Sequence, residues 1–213
     1  MVDIKLKICG MKYPENIQDI STLNPDYLGF IFWEKSQRKF DTNEILEVPN
    51  SIKKVAVFVD EESEKIKHII DQFNFDVVQL HGSETPEFCE IIQSFSVEVI
   101  KSFSIDENFD FEQLTAYEPY VDYFLFDTKG KLPGGNGISF DWDLLSQYTL
   151  EKPFFLSGGI GLTSVDAIKS FLSTENAKYC HGIDVNSRFE KKKGFKNYSK
   201  LKRLKRRLYE NEI

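Results

Sequence analysis

One recurrence constrains the fold of this chain more than any other feature: short, strongly apolar segments return along its length, separated by polar or amphipathic stretches. They fall at residues 4–9, 27–32, 54–59, 77–80, 97–103, 123–127, 153–157 and 180–185. Most are rich in Val, Ile and Phe, the composition of strands buried on both faces. Between several of them lie helical patterns. Ile66, Ile69, Ile70 and Phe73 step by three and four residues, and Phe88, Ile91, Ile92 and Phe95 repeat the step. Val165, Ile168 and Leu172 do likewise after Ser164. Helix starts are expected at Asp60, at Thr85 with Pro86 in the first helical position, and at Thr163 or Ser164. Strands alternating with helices over 213 residues predict an α/β fold, a single (β/α)8 barrel spanning 1–213 as one domain. The segment 104–119 carries few apolar residues at helical spacing, so the helix after the fifth strand is expected to be short or missing.

Composition narrows the function classes. No apolar run approaches the ~20 residues of a membrane span, and the first residues lack the pattern of a signal peptide. A cytoplasmic protein without a membrane partner is expected. The three cysteines, Cys9, Cys89 and Cys180, are widely spaced and suggest neither a disulfide framework nor a metal motif. The three histidines are scattered. A net charge of −7 argues against nucleic-acid binding. The exception is the tail, where Lys200, Lys202, Arg203, Lys205, Arg206 and Arg207 surround Tyr198, Leu201, Leu204 and Leu208 at helical spacing. That pattern predicts an amphipathic helix closing the fold, with a solvated basic face favoured over a specific anionic partner.

In a parallel barrel, residues at the C-terminal ends of the strands gather on the face where such folds do chemistry. Cys9 ends the first apolar segment and Asp127 the sixth. Together a thiol and a carboxyl make a proton-transferring pair. Lys7, two residues before Cys9, shares its side of the strand and is expected to lower the thiol pKa. The competing reading of Cys9 is a small core residue. Asp127 follows the apolar run Tyr123-Phe124-Leu125-Phe126, where burial would raise its pKa and suit a general acid; otherwise it caps a turn. The glycine-rich stretch 130–137 reads as a loop able to close over a substrate. The run Ser157-Gly158-Gly159 enters a helix start, and Asp184-Val185-Asn186-Ser187 ends the last strand. Loops after strands seven and eight of barrels commonly hold a phosphate with backbone N–H groups. Arg38, after the second strand, is placed to clamp a carboxylate, although Lys35 and Lys39 beside it also suit a solvated basic loop. His81 is either a base or, preferably, a hydrogen-bonded structural residue.

These segments, with Gly29-Phe30-Ile31-Phe32, Ser36, Val57-Phe58-Val59, Gln79-Leu80-His81-Gly82, Thr128, Gly134-Gly135-Asn136-Gly137, Phe140-Asp141-Trp142, Gly194 and Lys196, resemble the phosphoribosylanthranilate isomerases of tryptophan biosynthesis. They stand in family order over nearly the whole chain. The resemblance implies an Amadori rearrangement of N-(5-phosphoribosyl)anthranilate to 1-(2-carboxyphenylamino)-1-deoxyribulose 5-phosphate, with Cys9 as base and Asp127 as acid. It implies that Arg38 binds the anthranilate carboxylate, with Lys7 also at the substrate, and that Gly158, Gly159, Asn186 and Ser187 bind phosphate. Neither metal nor organic cofactor is expected, the partner is a small phosphorylated substrate, and the enzyme acts as a monomer or homodimer. A metal-dependent sugar-phosphate epimerase would want paired histidines and carboxylates at strand ends, which this chain does not offer. Two positions depart from the family pattern: Arg188 stands where glycine is usual, and Lys193 where proline is common. Arg188 either restricts backbone approach to the phosphate or adds charge to hold it.

Overall fold

The computed structural model describes residues 4–42, 47–128 and 141–209. Its eight parallel strands are β1 (Lys5–Ile8), β2 (Tyr27–Ile31), β3 (Lys53–Phe58), β4 (Val77–Leu80), β5 (Glu98–Ile105), β6 (Tyr123–Thr128), β7 (Phe154–Leu156) and β8 (Cys180–Val185). They close into a barrel in sequence order, with β1 paired to β8. The apolar recurrence therefore maps onto the barrel. Cys9, Val55, Val57, Val77, Ile100, Leu125 and Phe155 pack together in one cluster, while alternate residues such as Leu6, Ile8, Ala56, Phe58, Val78 and Leu80 join the larger cluster shared with the helices. This alternation is why the strands read as continuous apolar runs: both faces are covered.

Helices α1 (Pro14–Ser21), α2 (Ser63–Phe73), α3 (Pro86–Gln93) and α4 (Val165–Leu172) cover the strands. Ile66, Ile69, Ile70 and Phe73 of α2 are all buried, as their spacing requires. Thr85 caps α3, its side chain accepting from the N–H of Phe88 at 3.3 Å, with Pro86 following. Two expectations change. Asp60 does not open α2; its φ is +49°, its carboxylate accepts from the Ser83 N–H, and the helix begins three residues later. On α3 the inward residues are Cys89 and Ile92, whereas Ile91 is 46% exposed. Ile91 lies on the turn's outer side, and the smaller Cys89 takes the place at the core.

The connection after β5 has no α-helix, as its sparse apolar pattern predicted; two 3₁₀ turns, Phe111–Ala116 and Glu118–Tyr120, fill it. A 3₁₀ turn at Trp142–Gln147 precedes β7. After β8 the chain makes an antiparallel hairpin, β9 (Glu190–Lys192) and β10 (Phe195–Lys196), then α5 (Tyr198–Tyr209). Helix α5 buries Leu201, Leu204 and Leu208. Its basic face is not simply solvated: Lys205 donates to the carbonyls of Leu23 and Asn24, and Arg207 to Leu162 and Asp166. No helix among the described residues is long and apolar enough to cross a membrane.

Candidate active site

Cys9 stands just past β1, where Gly10 turns the chain away with φ +76°. A Cβ at Gly10 would lie 2.8 Å from Asn186 Oδ1 and 2.9 Å from the Arg38 side chain, so glycine there lets both residues approach the turn. Gly29 on β2 plays the same part for the thiol, since a Cβ would meet Cys9 Sγ at 2.8 Å. Beneath Cys9, Lys7 is fully buried and donates to Asp184 Oδ1 at 2.8 Å, its neighbour in register on β8. Lys7, expected at the substrate, thus lies below the open site and is paired inside the barrel. Its effect on the thiol is also outweighed. Burial pushes the Cys9 pKa up and Asp184 adds to this, while Lys7 and Lys196 oppose it. The expected lowering fails because desolvation of a thiolate in this tight floor exceeds the pull of the ammonium.

Asp127, next to last in β6, is almost fully buried, with Oδ1 accepting from the Thr128 N–H at 2.8 Å. Burial first, then the Asp184 carboxylate, push its pKa up to about 6, against the lowering pull of the Thr128 N–H, Lys7 and Ser157. The direction is the one its apolar run predicted. His81 Nδ1 lies 2.9 Å from Gln79 Nε2, which also donates to Ser102 Oγ, and His81 Nε2 lies 3.8 Å from Asp127 Oδ2. Burial, then Lys101 and Lys7, hold the imidazole pKa down at about 3, so it is neutral at physiological pH. A base that weak suits a hydrogen-bonded wall better than proton abstraction.

Cys9, Arg38, Asp127 and Asn186 open onto one cleft, walled further by Trp33 and His81. A narrower cleft continues from it across Asp127, Ser157, Asp184 and Asn186 to Gly158, Gly159, Ser187 and Arg188. Gly158 and Gly159 have φ +94° and +60°. A Cβ at Gly158 would meet Thr128 Oγ1 at 2.1 Å. The backbone therefore runs bare at this end of the site, the arrangement an anion needs for close approach. Arg188 lines the same cleft, so the side chain that replaces the usual glycine is next to the opening. The glycine-rich stretch 130–137 lies outside the described residues.

Three residues received no individual role from the sequence, although Asp184 and Lys196 stand in the family-like segments. Glu190 binds Arg38 in a two-point fork, Nε to Oε1 and Nη2 to Oε2, each 2.8 Å. Lys196, fully buried, donates to Glu190 Oε1 at 2.8 Å and to Asn186 Oδ1 at 2.6 Å. Although burial works against it, the Glu190 carboxylate is held below its usual pKa by Arg38 and Lys196. Asp184 joins Lys7 to Ser157. A hairpin turn at Lys193-Gly194 was the available signal for Glu190 and Lys196, because a tight hairpin brings both ends of the segment 190–196 together. No cluster of three or more metal-ligating side chains occurs among the described residues.

Comparison with known proteins gives one consistent result. The family model of N-(5'phosphoribosyl)anthranilate isomerase matches residues 6–206. An N-(5'-phosphoribosyl)anthranilate isomerase of Parabacteroides distasonis is 40% identical over 207 residues, covering 92% of this chain and 90% of that protein. Among solved structures, monomers generated from the dimeric phosphoribosylanthranilate isomerase of Thermotoga maritima superpose with a TM-score of 0.78 at 28% identity, covering 96% of this chain and 98% of that one. A phosphoribosylanthranilate isomerase in complex with reduced 1-(o-carboxyphenylamino)-1-deoxyribulose 5-phosphate gives a TM-score of 0.79 at 28% identity with the same coverage.

Proposed function

The chain belongs to the N-(5'phosphoribosyl)anthranilate isomerase family, and on that premise we propose how its own residues carry out the Amadori rearrangement of tryptophan biosynthesis. The observation that carries the reading is a single cleft onto which Cys9, Asp127 and Arg38 all open, continued by the bare glycine backbone at Gly158 and Gly159. The substrate spans it with its carboxylate at Arg38 and its phosphate at Gly158, Gly159, Asn186, Ser187 and Arg188. The relative bound to a reduced product, which itself carries a carboxyphenyl group and a phosphate, supports this two-ended fit.

Asp127 delivers a proton to the ribose ring oxygen as the C1′–O bond breaks, and the nitrogen lone pair forms the iminium. Cys9 as thiolate removes the C2′ proton, leaving an enolamine that tautomerises to the ketone. The steps pass one proton from Asp127 to the substrate and one from the substrate to Cys9, with electron pairs shifting inside the substrate and no net change of oxidation state, so the reaction itself calls for no cofactor. An acid with a pKa of about 6 remains one-tenth protonated at pH 7. The raised Cys9 pKa is met in the complex by the positive iminium, which favours the thiolate opposite it. Lys7 acts from below, on Cys9 and Asp184. The chain works as one cytoplasmic domain, as a monomer or as a homodimer like the Thermotoga enzyme.

The purified protein is expected to consume N-(5'-phosphoribosyl)anthranilate, followed by loss of anthranilate-type fluorescence. Cys9→Ala and Asp127→Ala should each lower kcat by at least about a hundredfold. Normal turnover in either variant removes that residue from the mechanism.

A further inference from the structure

We propose that Glu190 is a positioning residue which, tied to Lys196, sets the Arg38 clamp at a fixed place relative to the phosphate loop and so determines how well the substrate carboxylate is held. The inference rests on the reading of Arg38 as the carboxylate clamp. Its basis is a continuous set of short contacts. Glu190 takes Nε and Nη2 of Arg38 at 2.8 Å each, which leaves the Nη1 corner outside the fork. The same Oε1 accepts from Lys196 Nζ at 2.8 Å and from the Gly194 N–H at 3.0 Å. Lys196 in turn reaches Asn186 Oδ1, on the loop that begins the narrow cleft, at 2.6 Å.

The hairpin holding this pair is itself anchored. The Lys196 N–H donates to Asn16 Oδ1 at 2.6 Å, and Asn16 Nδ2 donates back to the Lys196 carbonyl at 3.0 Å, with Asn16 buried on α1. Gly10 adds a spatial limit, since the space that a Cβ would take there is shared by Arg38 and Asn186. One carboxylate faces both the Arg38 guanidinium and the Lys196 amine, whose pKa burial lowers although Glu190 opposes the shift. A two-point fork fixes the guanidinium plane in a way that a point charge does not. The expected consequence is on ground-state binding, hence on KM more than on kcat.

The test compares steady-state kinetics of wild type, Glu190→Gln, Arg38→Ala, the double variant Glu190→Gln/Arg38→Ala, and Arg38→Lys with N-(5'-phosphoribosyl)anthranilate. Glu190→Gln should raise KM about tenfold or more with a smaller fall in kcat, as expected for a misplaced binding group. The double variant should be no worse than Arg38→Ala alone, because Glu190 acts through Arg38. Arg38→Lys, which keeps the charge but not the fork, should resemble Arg38→Ala, and it decides the matter even where Glu190→Gln does not fold. Unchanged KM in Glu190→Gln, additive penalties in the double variant, or near-normal KM in Arg38→Lys would overturn the proposal. An inactive wild type would overturn the proposed reaction instead.

Discussion

The chemistry of Cys9 turns on a contest between two effects at one atom. An ammonium within reach favours the thiolate, and the surrounding apolar floor disfavours it; burial is the larger. The free enzyme should therefore carry a thiol that is slow to react. With peptide-resolved alkylation by iodoacetamide, Cys9 is expected to react at least about tenfold more slowly at pH 7.5 than the same cysteine in urea, its rate still climbing past the ordinary thiol pKa of about 8.5. A rate that levels off below pH 8 would show a depressed pKa and refute this. Strand position was readable from the chain because a parallel barrel sends every strand end to one face, so Cys9, Arg38 and Asp127 could be grouped without coordinates. The sign of the Cys9 shift was not readable, because it depends on how completely Gly29, the strand ends and Lys7 close around the sulfur. The contacts of Glu190 and Lys196 were hidden for a related reason: no periodicity in the sequence records a contact between Arg38 and a residue far along the chain.

At the scale of elements, periodic patterns long enough to define a face gave helices α2 and α5 correctly, whereas on the eight-residue α3 the step put Ile91 on the inward face that Cys89 takes. The loop after β7 shows a finer limit. Its run of glycines advertised a bare backbone, but not which glycine the geometry requires. Gly158 combines φ +94° with a Cβ position only 2.1 Å from Thr128 Oγ1 on the neighbouring strand. Gly161 has φ −141°, and a Cβ there would make ordinary contact with Arg188 at 3.6 Å. Gly158→Ala is therefore expected to cost at least about 1–2 kcal/mol from the left-handed backbone alone. It should also raise KM as β6 and the phosphate loop are pushed apart. Gly161→Ala should cost clearly less than Gly158→Ala, because at this buried glycine an added Cβ meets no atom closer than 3.6 Å and φ suits any residue. Thermal melts and KM for the pair check this, and equal penalties at the two positions would sink the assignment of Gly158 to the close approach.

For the molecule as a whole, the active site stores instability that the barrel must offset. Asp127 has an ordinary pKa of 3.8 and a folded value of about 6, so its native environment favours the protonated form. Above pH 6 the fold must hold a carboxylate it disfavours, a penalty of roughly 3 kcal/mol at this nearly buried side chain. As pH falls from 6 toward 3.8 the folded protein binds the proton first, and the penalty disappears. Glu190 runs the other way: its lowered pKa contributes stability above the ordinary glutamate range that is lost on acidification. Because Glu190 is unchanged by substitution at position 127, its contribution cancels when wild type and Asp127→Asn are compared. The amide keeps an oxygen for the Thr128 N–H and removes the charge opposed by burial and by Asp184. Asp127→Asn is thus expected to be inactive yet more stable than wild type at pH 8, by several degrees in Tm for a chain of this length. The gap should narrow below pH 6 and close near pH 4. Melting curves of the two proteins across that range decide it: identical Tm values at pH 8, or a gap that widens on acidification, would mean that Asp127 is not held as the reluctant carboxylate that a general acid of this barrel requires.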